Sequence, residues 1–340
     1  MLSICLLTEL LLRLFVLSPT STQPDDTLGW RYISNSTIRQ SDEGLSSNTL
    51  NSLGQNDSEL LVSDSHVKRI LLLGDSFTES LQIERENNFA ELTERESCTE
   101  IVNSGQSGMN IMHYPIVVDR MHPYNMDQSV IVLSAGDIND IRHTPHSLTR
   151  HPENGEITNI QLIGKPLSFA RRLFAPALEH SALLTLLMKR VKLLKLSSGE
   201  NNTNDSAVAQ QQNHSIFINE EDRNAIADII RFVLKDIQTQ MTVAILYLPT
   251  YDYLPAGVAV ETERSIEARH FLSEIAKRMN IPMATATGFE EFYRKTHRPP
   301  VGFANAHISG GHLNQHGHKL VAQSLLTLIG RDCTLSEATP

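Results

Sequence analysis

The tetrapeptide Gly74-Asp75-Ser76-Phe77 follows immediately on the apolar run Val67-Lys68-Arg69-Ile70-Leu71-Leu72-Leu73. This spacing puts a serine hydroxyl where a buried strand turns into a helix, beside backbone N–H groups left without helical partners, and such a position suits a nucleophile. A hydroxyl is a weak nucleophile until a base within hydrogen-bond reach removes its proton. Negative charge that then develops on a substrate oxygen needs fixed donors. Three later segments carry residue types for those tasks: Asn103-Ser104-Gly105-Gln106-Ser107-Gly108, Gly136-Asp137-Ile138-Asn139-Asp140, and Gly311-His312-Leu313-Asn314-Gln315-His316-Gly317-His318. Each residue also has a plainer use, with Ser76 or Asn139 as a helix cap, Gly105 and Gly108 as turn formers, and His312 as a loop histidine.

The elements that must position these segments follow from hydrophobic periodicity. Strands are predicted at Val67–Leu73, Glu100–Val102, Ser129–Ser134, Met241–Leu248 and Ile281–Ala286, several of them apolar on both faces. Helices are predicted at Asn88–Glu96, Met109–Met121, Glu220–Gln238, Glu261–Arg278 and Gln315–Ile329. Strands alternating with helices imply a parallel sheet covered on both sides. Loops after the carboxyl ends of such strands line one crevice, so the four segments are expected to converge.

The chain has 340 residues, 20% charged and 40% hydrophobic, with a net charge of −10. That balance fits one large soluble domain with appendages, and it argues against a nucleic-acid partner and against adhesion to anionic lipid. Residues 1–18 read as an apolar leader or membrane anchor, with an amphipathic helix docked on the body as the alternative, and are interrupted by Glu9 and Arg13, which could pair four apart on a helix. Residues 19–65 read as a polar extended arm whose one apolar island, Leu28–Ile33, holds the sole tryptophan, Trp30, and is expected to dock against the domain there. The main domain is placed at 66–332, with a helical insertion at 166–196 and a flexible linker at 197–215. His312, His316 and His318 lack nearby carboxylate or thiolate ligands, so no metal site is read there. Asn-x-Ser/Thr sequons, Asn56 among them, fall in the polar stretches.

Taken in order, the four segments resemble those of the SGNH, or GDSL-type, hydrolases, especially exported bacterial members in which a Leu-Gly-Trp-Arg arm, here Leu28-Gly29-Trp30-Arg31, precedes the Gly-Asp-Ser-Phe turn. The resemblance runs from about Leu28 to Gly330 apart from the two insertions. It implies a three-layer α/β/α sandwich around a flavodoxin-like, five-stranded parallel sheet. It implies Ser76 as nucleophile, His312 as general base, and an oxyanion hole from Ser76, Gly108 and Asn139. The implied activity is hydrolysis of an O-acyl ester, such as a carbohydrate O-acetyl group, through an acyl-Ser76 intermediate and without a cofactor. The implied location is exported or membrane-anchored. The implied helix order also brings Cys98 and Cys333 together as a candidate disulfide.

Two places depart from the family pattern. Glycine is expected two residues before Asn139, where Asp137 stands, with Gly136 one earlier. An aspartate is expected three residues before His312, where Ser309 stands, and no carboxylate occurs between Ala304 and Lys319. Three outcomes are open: Ser309 or a backbone carbonyl orients His312, Asp252 reaches in, or the chain is a weakly catalytic or inactive binding protein on the same fold. Polysaccharide O-acyltransfer is the other reading of the same machinery.

Overall fold

A computed structural model describes residues 2–15, 21–62, 67–97, 99–163, 181–187 and 215–330. Helix α1 (Leu2–Phe15) and four short strands, β1 (Thr22–Asp25), β2 (Gly29–Tyr32), β3 (Thr37–Gln40) and β4 (Ser46–Thr49), precede the main domain. The domain continues through β5 (Arg69–Leu73), α2 (Ser76–Glu79), α3 (Phe89–Ser97), β6 (Glu100–Asn103), α4 (Tyr114–Met121), β7 (Gln128–Leu133) and α5 (Ala135–His143). A hairpin of β8 (His146–Arg150) and β9 (Ile157–Leu162) comes next, then α6 (Glu220–Gln238), β10 (Thr242–Tyr247), and a second hairpin of β11 (Tyr251–Leu254) and β12 (Val258–Glu261). The described chain closes with α7 (Glu263–Arg278), β13 (Met283–Thr285), α8 (Phe289–Thr296) and α9 (Gln315–Ile329).

Five strands form one parallel sheet in the order β13-β10-β7-β5-β6, which is the flavodoxin-like order expected. Every residue of β5 is buried, as are five of the six in β7 and in β10. Such runs cannot face water on either side and so recruit helices to both. Successive side chains of a strand point to opposite faces. Leu71 and Leu73 accordingly join α4, α5, α6 and α7 in one core, whereas Ile70 and Leu72 join Phe89 of α3, Phe289 of α8 and Val321 and Leu325 of α9 in the other. The result is a three-layer α/β/α sandwich.

Local chemistry explains where boundaries differ from the sequence expectation. The predicted helix 109–121 is broken into a 3-10 turn, Ile111–His113, capped by Asn110, and then α4 with a proline in its first turn. Pro115 lacks the N–H that a continuous helix would require. Glu261 belongs to β12, because Thr262 starts α7 by accepting the Ser265 N–H at 3.2 Å.

The segment read as an extended arm is built of paired strands and lies docked on the domain. β1 pairs with β2 and β3 with β4, both antiparallel. Its polar side chains bond to main-chain groups of the domain, with Asn48 Nδ2 donating to Ile83 O (2.9 Å) and Asn56 Nδ2 to Glu79 O (2.8 Å). In the folded chain Asn56 is buried. Gln106 Nε2 answers from the domain side to Trp30 O at 3.0 Å. The polar composition that suggested an unpacked arm is thus consumed in docking.

On α1, Ile4, Leu6, Leu7, Leu10 and Leu11 are exposed. The Glu9 carboxylate accepts from Ser181 Oγ (3.0 Å), Ala182 N (2.7 Å) and Leu183 N (2.9 Å), capping a helix at 182–187. Among the described residues, no helix is long and apolar enough to cross a membrane. Most of the predicted insertion and linker, together with Cys98 and Cys333, fall outside the described residues.

Candidate active site

Ser76 opens α2, a single turn directly after β5. Asp75 caps that turn by accepting the Phe77 N–H at 2.9 Å, and Ser80 closes it in the left-handed region at φ 59°. The turn is tight enough that a Cβ on Gly74 would lie 2.0 Å from Thr78 Oγ1. Burial raises the Asp75 carboxyl above its usual range, outweighing the Phe77 N–H and the nearby His312, which pull it down.

His312 lies at the mouth of α9, whose first turn is capped by Asn314 accepting the His316 N–H at 3.0 Å. Its Nε2 is 2.8 Å from Ser76 Oγ. The side of the ring opposite Ser76 meets Glu43, a residue of the arm. Glu43 Oε2 lies 2.6 Å from His312 Nδ1, and Glu43 Oε1 accepts the His312 backbone N–H at 2.7 Å. A carboxylate held at both oxygens fixes the imidazole with its proton on Nδ1 and leaves Nε2 to accept from Ser76. The side chains of His312 and Glu43 are 24% and 20% exposed, so both reach solvent at the mouth of the site.

The partner of His312 Nδ1 is therefore neither a main-chain carbonyl or Ser309 nor Asp252, which is exposed on β11. Room for it is made by Gly311, which has φ +88° and where a Cβ would sit 2.2 Å from Glu43 Oε1. Sequence reasoning missed Glu43 because it stands 269 residues from His312, inside the segment read as an extended arm. The signal that could have found it is the pair Gly310-Gly311, which removes side chains from one side of His312, together with the Glu-Gly dipeptide at Glu43-Gly44.

Gly108 sits in a turn at φ +79°, with open space around its Cα. That turn is anchored from beneath by Glu79, whose Oε1 accepts the Ser107 N–H at 3.1 Å and whose Oε2 takes the Ser107 hydroxyl. Burial raises the Glu79 carboxyl, against its hydrogen bonds from Ser107 and from Tyr32 of β2. Gly105 leaves no space for a side chain, since a Cβ there would lie 2.4 Å from Glu79 N.

Asn139 is on α5 rather than in a loop. Its Oδ1 accepts from Arg142 at 3.0 Å, which leaves Nδ2 as the donor of that amide. Arg142 is held in turn by Asp222 of α6 and by Ile216 O. Asp137, the residue that breaks the expected glycine spacing, closes the first turn of α5 by accepting from Ser134 N (2.7 Å) and Ser134 Oγ (2.8 Å). The remaining histidines diverge from the site. His318 is buried and accepts the Phe89 N–H at 3.2 Å, and His316 packs on Phe292. No group of three or more metal-type ligands occurs among the described residues.

No protein-family model and no curated protein matches the sequence. Among solved structures, the chain is similar to a lipolytic protein of the G-D-S-L family from Veillonella parvula DSM 2008, at 12% identity and a TM-score of 0.41 over 77% of this chain and 98% of that one. A putative lipolytic protein of the same family from Desulfitobacterium hafniense DCB-2 matches at 12% identity and a TM-score of 0.40, over 77% and 99% of the two chains. The acetylxylan esterase Axe2 from Geobacillus stearothermophilus, as a catalytic mutant, matches at 12% identity and a TM-score of 0.40, over 79% and 97%. What the molecule itself defines is an α/β sandwich with serine, histidine and carboxylate in one hydrogen-bonded chain beyond the end of a central strand.

Proposed function

We propose that this chain is a serine ester hydrolase of the SGNH type, working through a Ser76–His312–Glu43 triad. The observation that carries the reading is the unbroken hydrogen-bonded line from Glu43 through both ring nitrogens of His312 to Ser76 Oγ. In the proposed reaction, Nε2 takes the Ser76 hydroxyl proton as Oγ bonds to the acyl carbon, and the carbonyl π electrons move onto its oxygen. Glu43 steadies the imidazolium that results, without itself taking the proton. The oxyanion is assigned to the N–H groups of Ser76 and Gly108 and to Asn139 Nδ2. Collapse expels the alcohol, which takes the proton from Nε2, and leaves acyl-Ser76. Water, deprotonated by the same Nε2, then releases the acid and regenerates the hydroxyl.

The substrate class we propose is a small O-acyl ester, with O-acetylated carbohydrate tested first. The lack of a carboxylate near His312 in sequence favours a noncatalytic protein, whereas the Glu43–His312 contact favours the enzyme. For location, we propose membrane tethering through residues 1–18, supported by the exposed leucines of α1. The enzymatic reading is tested by treating the protein with a fluorophosphonate and mapping the adduct by mass spectrometry. Labelling at Ser76, lost in His312→Ala, is expected. Absence of any adduct at Ser76, with no turnover of an activated acetyl ester, would sink the reading.

A further inference from the structure

Glu43 sits in the five-residue loop between Gln40 and Ser46, the last residue of β3 and the first of β4. A surface hairpin loop of that length has no intrinsic reason to hold one carboxylate to within a few tenths of an ångström. Here it is gripped from outside. Asn305 Oδ1 accepts the Gly44 N–H at 3.0 Å, and Asn305 Nδ2 donates to Gly44 O at 2.8 Å and to Ser41 O at 3.0 Å. One amide thus pairs with Gly44 as an antiparallel strand would, and also ties the residue on the other flank of Asp42-Glu43. On the inner side the loop is pressed against the domain, since a Cβ on Gly44 would lie 2.1 Å from Gln82 O.

Asn305 belongs to the loop that carries the base. Phe303 N donates to His307 O at 2.7 Å and Ala306 N to Phe303 O at 3.1 Å, closing a tight turn around Asn305. At the foot of that turn Gly302 N donates to His312 O at 2.8 Å. The segment 302–312 therefore grips the acid-bearing loop at one end and presents His312 to it at the other. We propose that Asn305 is a positioning residue that sets Glu43 against His312. The inference rests on the triad reading, and it assigns a role to a residue outside all four motif segments.

The test uses the full chain and hydrolysis of p-nitrophenyl acetate by the parent, Asn305→Ala, Glu43→Gln and the double variant. Displacement of a catalytic group by about 1 Å can cost up to a hundredfold. Asn305→Ala is expected to lower kcat about tenfold or more, with KM within about twofold of the parent. Residues that act as one unit are non-additive, so the same change in the Glu43→Gln background is expected to cost less than about twofold. A second readout is the far-downfield proton resonance of the imidazole N–H bonded to carboxylate, expected in the parent, absent in Glu43→Gln and broadened in Asn305→Ala. A kcat for Asn305→Ala equal to the parent's, a full repeat of its loss in the Glu43→Gln background, or an unchanged downfield resonance would overturn the inference while leaving the triad intact. Parent-like kcat in Glu43→Gln would remove the triad reading, and the positioning role with it.

Discussion

Replacing Glu43 by glutamine tests the triad most sharply, because the two side chains have nearly the same shape. The carboxylate faces two donors, the His312 backbone N–H at 2.7 Å and Nδ1 at 2.6 Å. An amide offers one acceptor and one donor, so it cannot serve both. With its oxygen on Nδ1, the NH2 group is driven against the backbone N–H. With its NH2 on Nδ1, the ring proton is forced to Nε2, where it blocks acceptance from Ser76. The equivalent acid-to-amide change in a serine protease triad costs about ten thousandfold. The Glu43 side chain is 20% exposed, so water can take over part of its work. We therefore expect a loss of about a thousandfold in kcat, about 4 kcal/mol of transition-state stabilisation. Initial rates on an activated acetyl ester, with unfolding curves to show that the fold is kept, measure this. A folded Glu43→Gln protein within about fivefold of the parent would show that His312 is oriented by something else.

Gly311→Ala pushes a methyl group into the same carboxylate at a residue already in the left-handed region, and it is expected to cost about a hundredfold in kcat while the chain still folds, measured by the same two assays. His318 gives a prediction about acid stability. Burial pushes its pKa down from 6.5 to about 3, and the nearby His312 lowers it further. The unfolded chain then binds a proton that the folded chain refuses between pH 6.5 and about 3, so this residue's contribution to stability is complete above pH 6.5 and falls as the pH is lowered. Denaturant titrations should show roughly 3 kcal/mol lost to this group between pH 6.5 and about 4, and a smaller decline in His318→Gln. An equal decline in parent and variant would count against it.

The sheet was legible because β5, β7 and β10 each carry an unbroken apolar run, at 70–73, 130–133 and 243–247, and a run buried on both faces leaves few alternatives. Ser76 and His312 were legible for a related reason: each lies at a fixed step from an element that periodicity locates. Glu43 has no such tether. Its place is set by hairpin pairing of β3 with β4 and by Asn305, neither of which leaves a periodic mark. The strand pairing within the arm left no mark in its composition. Polar side chains that bond to backbone, as Asn48 and Asn56 do, look in sequence like those that bond to water. The hairpins at β8–β9 and β11–β12 are too short to stand out, and the start of α5 depends on Asp137 closing a cap that reads in sequence as a broken motif.

The distance along the chain between Glu43 and His312 has a kinetic meaning. A contact spanning 269 residues closes one of the largest loops this chain can make. Closing a loop of that size is entropically unfavourable, and non-local contacts are slow to form. The central sheet can assemble from neighbouring β-α units while the arm is still free. During synthesis, Glu43 and Ser76 leave the ribosome long before His312, so a half-made chain carries Ser76 without the imidazole it bonds to. Esterase activity regained on refolding would then follow the return of helical signal with a delay, and it would act as a clock for the last event, the arm settling against the loop that holds His312.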